Sequence, residues 1–374
     1  MKKYFSGIIL TFSFLLLISY SYAWARLTRD LTTSLLLAIP FILVWLIPVR
    51  FWSTDRSTIK TFDHILQILG YTCMGLVNFL IISLLLTDLI LLISQNYFIE
   101  TYFALIVFSL TSLAFFMGLI RGHFGPAIKE VEVRYPQLPI ELIGLRIVQI
   151  SDLHIGPTLK KNYVEKVVTK TLQQKPDLIV LTGDIVDGKI IDIGEDAAPL
   201  EKLASTGRAY FAMGNHDYYS GATPWIEYFE KMGMKVLLNA HDLINYKESP
   251  FMLAAVTDPA ASLAGHPSPD AKEAIKNHYQ GKKGNAVFKI LLAHNPKLAQ
   301  QGAEAGFDLM LSGHTHAGQF FPWTLVVKNV HKPHYWGLSQ EKAMKVYVSA
   351  GTGTWGPPIR LGTKTELTVI TLSR

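Results

Sequence analysis

The spacing of apolar and polar positions changes character near residue 120. Before that point the apolar runs are long: 5–24, 31–49, 65–94 and 101–120, with Asp88 as the single charge inside them. Each is long enough, as a helix, to cross a hydrocarbon core of about 30 Å, so the pattern predicts four transmembrane helices. The third is longer than a crossing needs and is expected to tilt or to run along the interface. After residue 144 the apolar runs shorten to four to six residues. The runs 145–150, 178–181, 209–212, 288–292 and 307–311 read as buried strands, and 346–349 and 366–371 as closing strands. Between the first two, Val164, Val167, Val168 and Leu172 recur at helical spacing. Residues 121–144, punctuated by Gly122, Gly125, Pro126, Pro136 and Pro139, read as a linker. The organisation expected is therefore a membrane part, 1–120, a linker, 121–144, and an α/β domain, 145–374.

Composition and charge sharpen this division. Apolar residues make up 49% and charged residues 17% of the 374-residue chain, too apolar for an ordinary soluble enzyme. Residues 1–129 hold nine Lys or Arg and five Asp or Glu, and the remainder is nearly balanced within a net charge of +6. That balance argues against a nucleic-acid partner. Lys2 and Lys3, then Arg50, Arg56 and Lys60, then Arg121 and Lys129 fall on one side if the four spans alternate. Arg26 and Arg29 face the other side, partly offset by Asp30 and Glu100. The basic side is the cytoplasmic one, which places the C-terminal domain at the cytoplasmic face of a plasma membrane. A cleaved signal peptide ending near Ala23-Trp24-Ala25 is the alternative for the first run; it would leave the domain on the same side. Trp24, Trp45, Trp52, Tyr97 and Tyr102 sit where interfacial anchors sit. Asp88 reads as an interfacial or bundle-facing polar residue. The single cysteine, Cys73, precludes an intramolecular disulfide and reads as a packing residue.

The chemistry lies directly after the strands. Five short motifs follow in order: Asp152-x-His154, Gly183-Asp184-x-x-Asp187, Gly214-Asn215-His216-Asp217, His294-Asn295-Pro296 and Gly313-His314-Thr315-His316. Their oxygen and imidazole donors are the set that holds two divalent metals side by side, and strand C-terminal ends are where open α/β sheets place their sites. A pair of such metals points to phosphate-ester hydrolysis.

In order and wording the motifs resemble the calcineurin-like metallophosphoesterase superfamily. The version Gly-His-Thr-His-Ala-Gly-Gln at 313–319 is similar to a bacterial branch that includes membrane-associated phosphodiesterases. The resemblance implies a four-layer αββα domain with two mixed sheets. It implies that Asp152, His154 and His316 hold one metal, that Asn215, His294 and His314 hold the other, and that Asp184 bridges them. The metals would be manganese, iron or zinc, and a hydroxide between them would attack phosphorus. His216 would orient the substrate or protonate the leaving group. Asp217 is expected to orient His216, and Asp187 to brace the loop of Asp184. His241 and His278 belong to no motif and read as structural.

Three regions are candidates for choosing the substrate. Residues 258–285, with Lys272, Lys276, Lys282 and Lys283, could be a solvated insertion, a lid or a contact with anionic headgroups. Phe320, Phe321, Trp323 and Trp336 could be core or an apolar wall beside the metals. Arg360 could grip a phosphate or make a structural ion pair. The reading reached is a membrane-anchored dimetal phosphoesterase with membrane lipids as partners. It would act on a phosphodiester or pyrophosphate, preferably of a lipid or lipid-linked substrate. A phosphodiesterase for soluble nucleotides and a non-catalytic scaffold on the same fold are the alternatives.

Overall fold

The computed structural model describes residues 2–49, 61–276 and 287–374. Arg50, Trp52, Arg56, Lys60, His278, Lys282 and Lys283, which carried part of the sequence reading, lie outside the described residues. The chain divides into two compact units, one of Met1–His123 with Gly356–Leu361 and one of Phe124–Trp355 with Gly362–Arg374.

The first unit is helical: α1 Lys2–Leu27, α2 Leu31–Ile47, α3 Thr61–Ser94, the short α4 Tyr97–Thr101 and α5 Phe103–His123. Three of these contain segments long and apolar enough to cross a membrane, Ile9–Leu27, Phe62–Ser94 and Phe103–His123. The fourth expected span, α2, has 17 helical residues, about 26 Å at 1.5 Å per residue, short of a full crossing. Asp30 starts α2 by accepting from the Thr33 amide, and Pro48 follows its end. Phe41, Val44, Val77, Leu80, Leu84 and Val107 form the interior, while Leu10, Phe14, Leu35, Leu92, Leu105 and Phe116 are exposed, as lipid-facing side chains would be. Asp88 faces its own bundle: it accepts from Tyr22 and pairs with Arg26, whose guanidinium lies 4.3 Å from the centre of the Phe103 ring. Cys73 packs at the edge of this interior. The Gly356–Leu361 segment joins the unit through the Arg360 amide, which donates to Gly118 O at 3.0 Å.

The second unit contains two six-stranded mixed sheets. Its strands are β1 Ala127–Arg134, β2 Arg146–Ile150, β3 Leu178–Thr182, β4 Ala209–Ala212, β5 Lys235–Val236, β6 Ala240–Tyr246, β7 Ser249–Ala255, β8 Phe288–Leu292, β9 Leu309–Ser312, β10 Gly337–Glu341, β11 Met344–Val348 and β12 Glu366–Ser373. One sheet has the order β1-β12-β2-β3-β4-β5 and the other β10-β11-β9-β8-β7-β6. Alternation along each strand separates two faces. Ile147, Leu178, Val180, Leu253, Ile290, Leu292, Leu309 and Leu311 meet between the sheets. Val148, Ile150, Ile179 and Leu181 face outward onto α6, Lys161–Gln173, through Val164, Val167 and Val168. Leu291, Met310, Val346 and Val348 face outward onto the helices Ala271–Ala274 and Ala299–Glu304. The result is the expected αββα layering.

One expectation is corrected here. Residues 121–144 are not a linker: α5 runs on to His123, and β1 pairs with β12 over its whole length, from Ala127↔Glu366 to Arg134↔Ser373. Alternating charges on β1 (Lys129, Glu130, Glu132, Arg134) hid a strand whose side chains are mostly exposed, as edge strands require. Only Val133 of β1 is fully buried, in the layer between the sheets. Val133→Asp should therefore cost about 3–5 kcal/mol by burying an unpaired charge, while Lys129→Asp, on the exposed face, should stay within about 0.5 kcal/mol. Urea midpoints of the two detergent-solubilised variants would check this; equal midpoints would refute the placement of β1.

Candidate dimetal site

Every motif sits where a parallel strand ends. Beyond β2 and β3 the two chains continue side by side without regular strand geometry. The Asp152 amide donates to Gly183 O, His154 to Asp184 O and Ile155 to Ile185 O, at 2.9–3.0 Å. This brings the β2 loop (Asp152, His154) against the β3 loop (Asp184, Asp187). The backbone there is left-handed: φ is +51° at Asp152, +49° at His154, +52° at Asp184, +72° at His314 and +48° at His316. Non-glycine residues rarely adopt this conformation, and each instance costs of order 1–3 kcal/mol. Five of the seven expected ligands share it, which turns their side chains into a common space. Gly183 and Gly313 stand where a Cβ would overlap His294 and the Ser151–Asp152 side chains, respectively.

Three donor triads interlock in that space: Asp152, His154 and His316; His154, Asp184 and His216; Asp184, His294 and His314. The ligand atoms of each lie within 4.8 Å of one another. Asn215 joins the third through its side-chain oxygen, 3.0 Å from His314 Nδ1. His294 donates through Nδ1 to Thr182 O at 2.9 Å, which turns Nε2 inward. That Nε2 lies 3.1 Å from Asp184 Oδ2 yet is buried without a hydrogen bond. His154 Nε2 and His316 Nε2 face each other at 3.0 Å. Asp152 and Asp184 are both buried, and among the described residues neither is paired with a Lys or Arg. Buried carboxylates surrounded by inward-turned imidazoles and no fixed cation are a donor set that fits divalent metals.

Residues 145–318 match the calcineurin-like phosphoesterase family. A zebrafish (Danio rerio) transmembrane protein with metallophosphoesterase domain is 32% identical over 84% of this chain and 76% of its own. The chain belongs to the calcineurin-like metallophosphoesterases. An uncharacterized metallophosphoesterase of Campylobacter jejuni is 32% identical over 75% of this chain and 72% of its own. A Bos taurus protein, again a transmembrane protein with metallophosphoesterase domain, is 34% identical over 70% of this chain and 60% of its own.

The acids around this metallophosphoesterase site exchange the tasks expected of them. Asp187, not Asp217, orients His216: its Oδ1 lies 2.9 Å from His216 Nδ1 and its Oδ2 3.6 Å from His154 Nδ1. Asp217, not Asp187, braces the Asp184 loop, accepting from the amides of Asp184, Ile185, Val186 and Gly214 at 2.8–3.0 Å. The reason is local. Asp217 lies in the first turn of the helix Asn215–Tyr219, so its carboxylate turns back to the Gly214 amide and the adjoining strand end, away from His216. Burial and the Asp184 charge push the Asp217 carboxyl up to about 7, against the pull of its amide donors.

The substrate candidates scatter. Phe320 is buried, whereas Phe321, Trp323 and Trp336 are 41%, 49% and 42% exposed. Trp323 opens the helix Trp323–His331, which has no buried residue. Arg360 is buried and belongs to the helical unit. His241 bonds the backbone of Ala274. The 258–276 part of the supposed insertion is partly core, through Ala261, Ala271 and Ala274. One acid was missed: buried Asp258, which caps the short helix Pro259–Ala264 and acts electrostatically on His294 and Asp184. The apolar run 251–256 ahead of it has the same strand-then-acid form as the other motifs and was the available signal.

Burial opposes a charge on His216, but the carboxylates of Asp187 and Asp184 outweigh it and push its pKa up to about 9. Burial likewise opposes charge on Asp187, and His216 outweighs it, holding the carboxyl below the usual range. The folded pKa of His216 lies above its unfolded value of about 6.5. Its stabilising contribution to the metal-free protein should be complete below about pH 6.5 and lost as pH rises through about 9. Asp187→Asn should lower the His216 titration and blunt that alkaline loss. Imidazole NMR shifts in chelator would measure it, and an unchanged titration would reject the pairing.

Proposed function

We propose that this metallophosphoesterase is a membrane-anchored phosphodiesterase or pyrophosphate hydrolase whose substrate is a lipid or is lipid-linked. The hydrolytic part rests on one observation, the three interlocking triads that share His154 and Asp184. In this reading Asp152, His154 and His316 hold one divalent cation, Asn215, His294 and His314 hold a second, and Asp184 serves both. The bound cations, whether manganese, iron or zinc, would activate a water and neutralise charge on the phosphoryl oxygens. The chain's own groups do the rest. His216, held by Asp187, presents a proton to the leaving oxygen. Asp217 holds the Asp184 loop, so that carboxylate meets its partners without reorganising.

The lipid part rests on three membrane-length helices together with exposed Phe321, Trp323 and Trp336 and the exposed Leu325, Val326 and Val330 of the helix Trp323–His331. Anchoring gains most when enzyme and substrate share a surface, because the second encounter becomes effectively intramolecular. The basic residues flanking the helices support a cytoplasmic catalytic domain, and α2 would complete a four-span bundle if the bilayer thins to meet it.

Asp184→Asn should abolish hydrolysis and weaken metal retention, whereas His216→Ala should keep the metal and lose about 10²–10⁴ of kcat. Metal analysis alongside turnover of a small chromogenic phosphodiester separates the two. Full activity of Asp184→Asn in chelator would overturn the hydrolytic reading. For the substrate, lengthening an acyl chain should raise kcat/KM, since each fully buried CH₂ is worth about 0.8 kcal/mol, and Trp323→Ala should flatten that dependence. Faster turnover of a soluble nucleotide diester than of any lipid, with no chain-length effect, would favour the soluble-nucleotide alternative.

A further inference from the structure

Two exposed aromatic rings flank His216, and neither belongs to a metal-binding motif. Tyr219 lies three residues further along the helix Asn215–Tyr219, its ring centre 5.7 Å from that of His216 at 67°. Trp355 approaches from a different part of the chain, 5.6 Å away at 64°. Neither ring lies flat on the imidazole, and the two residues keep 60% and 40% of their surface exposed. Exposed tryptophan on a loop is ordinarily free to turn. This one has its backbone gripped on both sides by a single side chain. Gln319 accepts from the Trp355 amide at 2.9 Å and donates to its carbonyl at 3.0 Å. Gln319 has φ +56°, and its own carbonyl accepts from Thr363 Oγ1 at 2.6 Å. A residue in a costly conformation, three positions past His316, thus fixes the stretch of main chain from which an exposed aromatic ring meets His216. Holding an apolar surface rigid and open is what a pre-organised binding face requires.

We propose that Tyr219 and Trp355 form an aromatic clamp that takes a flat, unsaturated ring on the leaving group of the substrate, with Gln319 as the residue that positions Trp355. The side follows from His216. Under the function proposed above, His216 faces the leaving oxygen, so a group packed beside it meets the departing half of the ester rather than the retained half. The chemistry follows from the rings: a π face offers offset-stacked or edge contacts to an aryl or heteroaromatic ring and little to a saturated chain.

The test uses the full-length protein in detergent with Mn²⁺ and two methyl phosphodiesters whose leaving groups, phenyl and fluoroalkyl, are matched in acidity. Trp355→Ala and Tyr219→Ala should each lower the phenyl-to-fluoroalkyl ratio of kcat/KM by up to about tenfold, mainly through KM. Trp355→Phe should restore most of it, and Gln319→Ala should move the ratio in the same direction. Equal losses on both substrates would overturn the clamp while leaving the hydrolase reading standing. A second measurement separates the two ideas: calorimetric binding of analogues in which the leaving oxygen is replaced by methylene, methyl benzylphosphonate and its fluoroalkyl counterpart, neither of which can lose that group. Preference for the phenyl compound that Trp355→Ala removes, in a protein that hydrolyses neither ester, would uphold the clamp and sink the hydrolytic reading. No preference in the wild-type protein would overturn the clamp.

Discussion

The carboxylate of Asp217 accepts from four backbone amides belonging to the ends of two strands, Asp184, Ile185 and Val186 after β3 and Gly214 after β4. The rest of the site depends on this arrangement. Amides at the end of a strand have lost their ladder partners, and buried ones must find others. Asp217 supplies all four at once and in doing so fixes the loop that carries Asp184 and Asp187. Asp184 in turn accepts from the His216 amide at 2.8 Å, and Asp187 orients the His216 ring. The same device recurs on the other sheet-end, where Asp152 accepts from the His314 amide at 2.8 Å. Each acid that faces the metal space also ties down a neighbouring ligand loop, so the donor set is positioned by the fold rather than by its own flexibility.

Much of this was legible in the sequence because the signals were strong and short-range. Uncharged runs of about 20 residues have few soluble explanations, and short apolar runs ending in Asp, Asn or His announce strand-end ligands. What stayed hidden was set by tertiary context. β1 looks like a linker because seven of its eight residues are exposed or half-exposed and its partner, β12, is more than 230 residues away. The tasks of Asp187 and Asp217 could not be told apart, since both follow strands by a few residues and only the direction of the helix Asn215–Tyr219 decides where each points. Trp355 was missed for the same reason: its neighbour His216 is 139 positions away, and no period relates them.

The membrane-length helices and the catalytic domain obey different packing rules. In the domain nearly every large apolar residue on a strand is buried or half-buried, with Ile128 of β1 and Leu338 of β10 as exceptions, while the helix Trp323–His331 leaves Trp323, Leu325, Val326 and Val330 exposed. In the helical unit many apolar residues are exposed around a small apolar interior, and a partly exposed polar group, Asp88 with Tyr22 and Arg26, links two of its helices. Deep in hydrocarbon an unpaired acid would be costly, and this pairing gives Asp88 two donors from α1, fixing how α1 and α3 are rotated against each other.

The left-handed backbone at Asp152, His154, Asp184, His314 and His316 bears on how the protein answers its supply of metal. Conformations that unfolded chains seldom visit are already in place, so cations would meet a rigid cradle and little binding energy would be diverted into ordering loops. An ion that binds only the folded form then returns its affinity as resistance to unfolding, about 2.7 kcal/mol at a free concentration a hundred times its Kd. Metal scarcity would thus act on this protein twice, silencing its chemistry and shortening its lifetime against proteolysis.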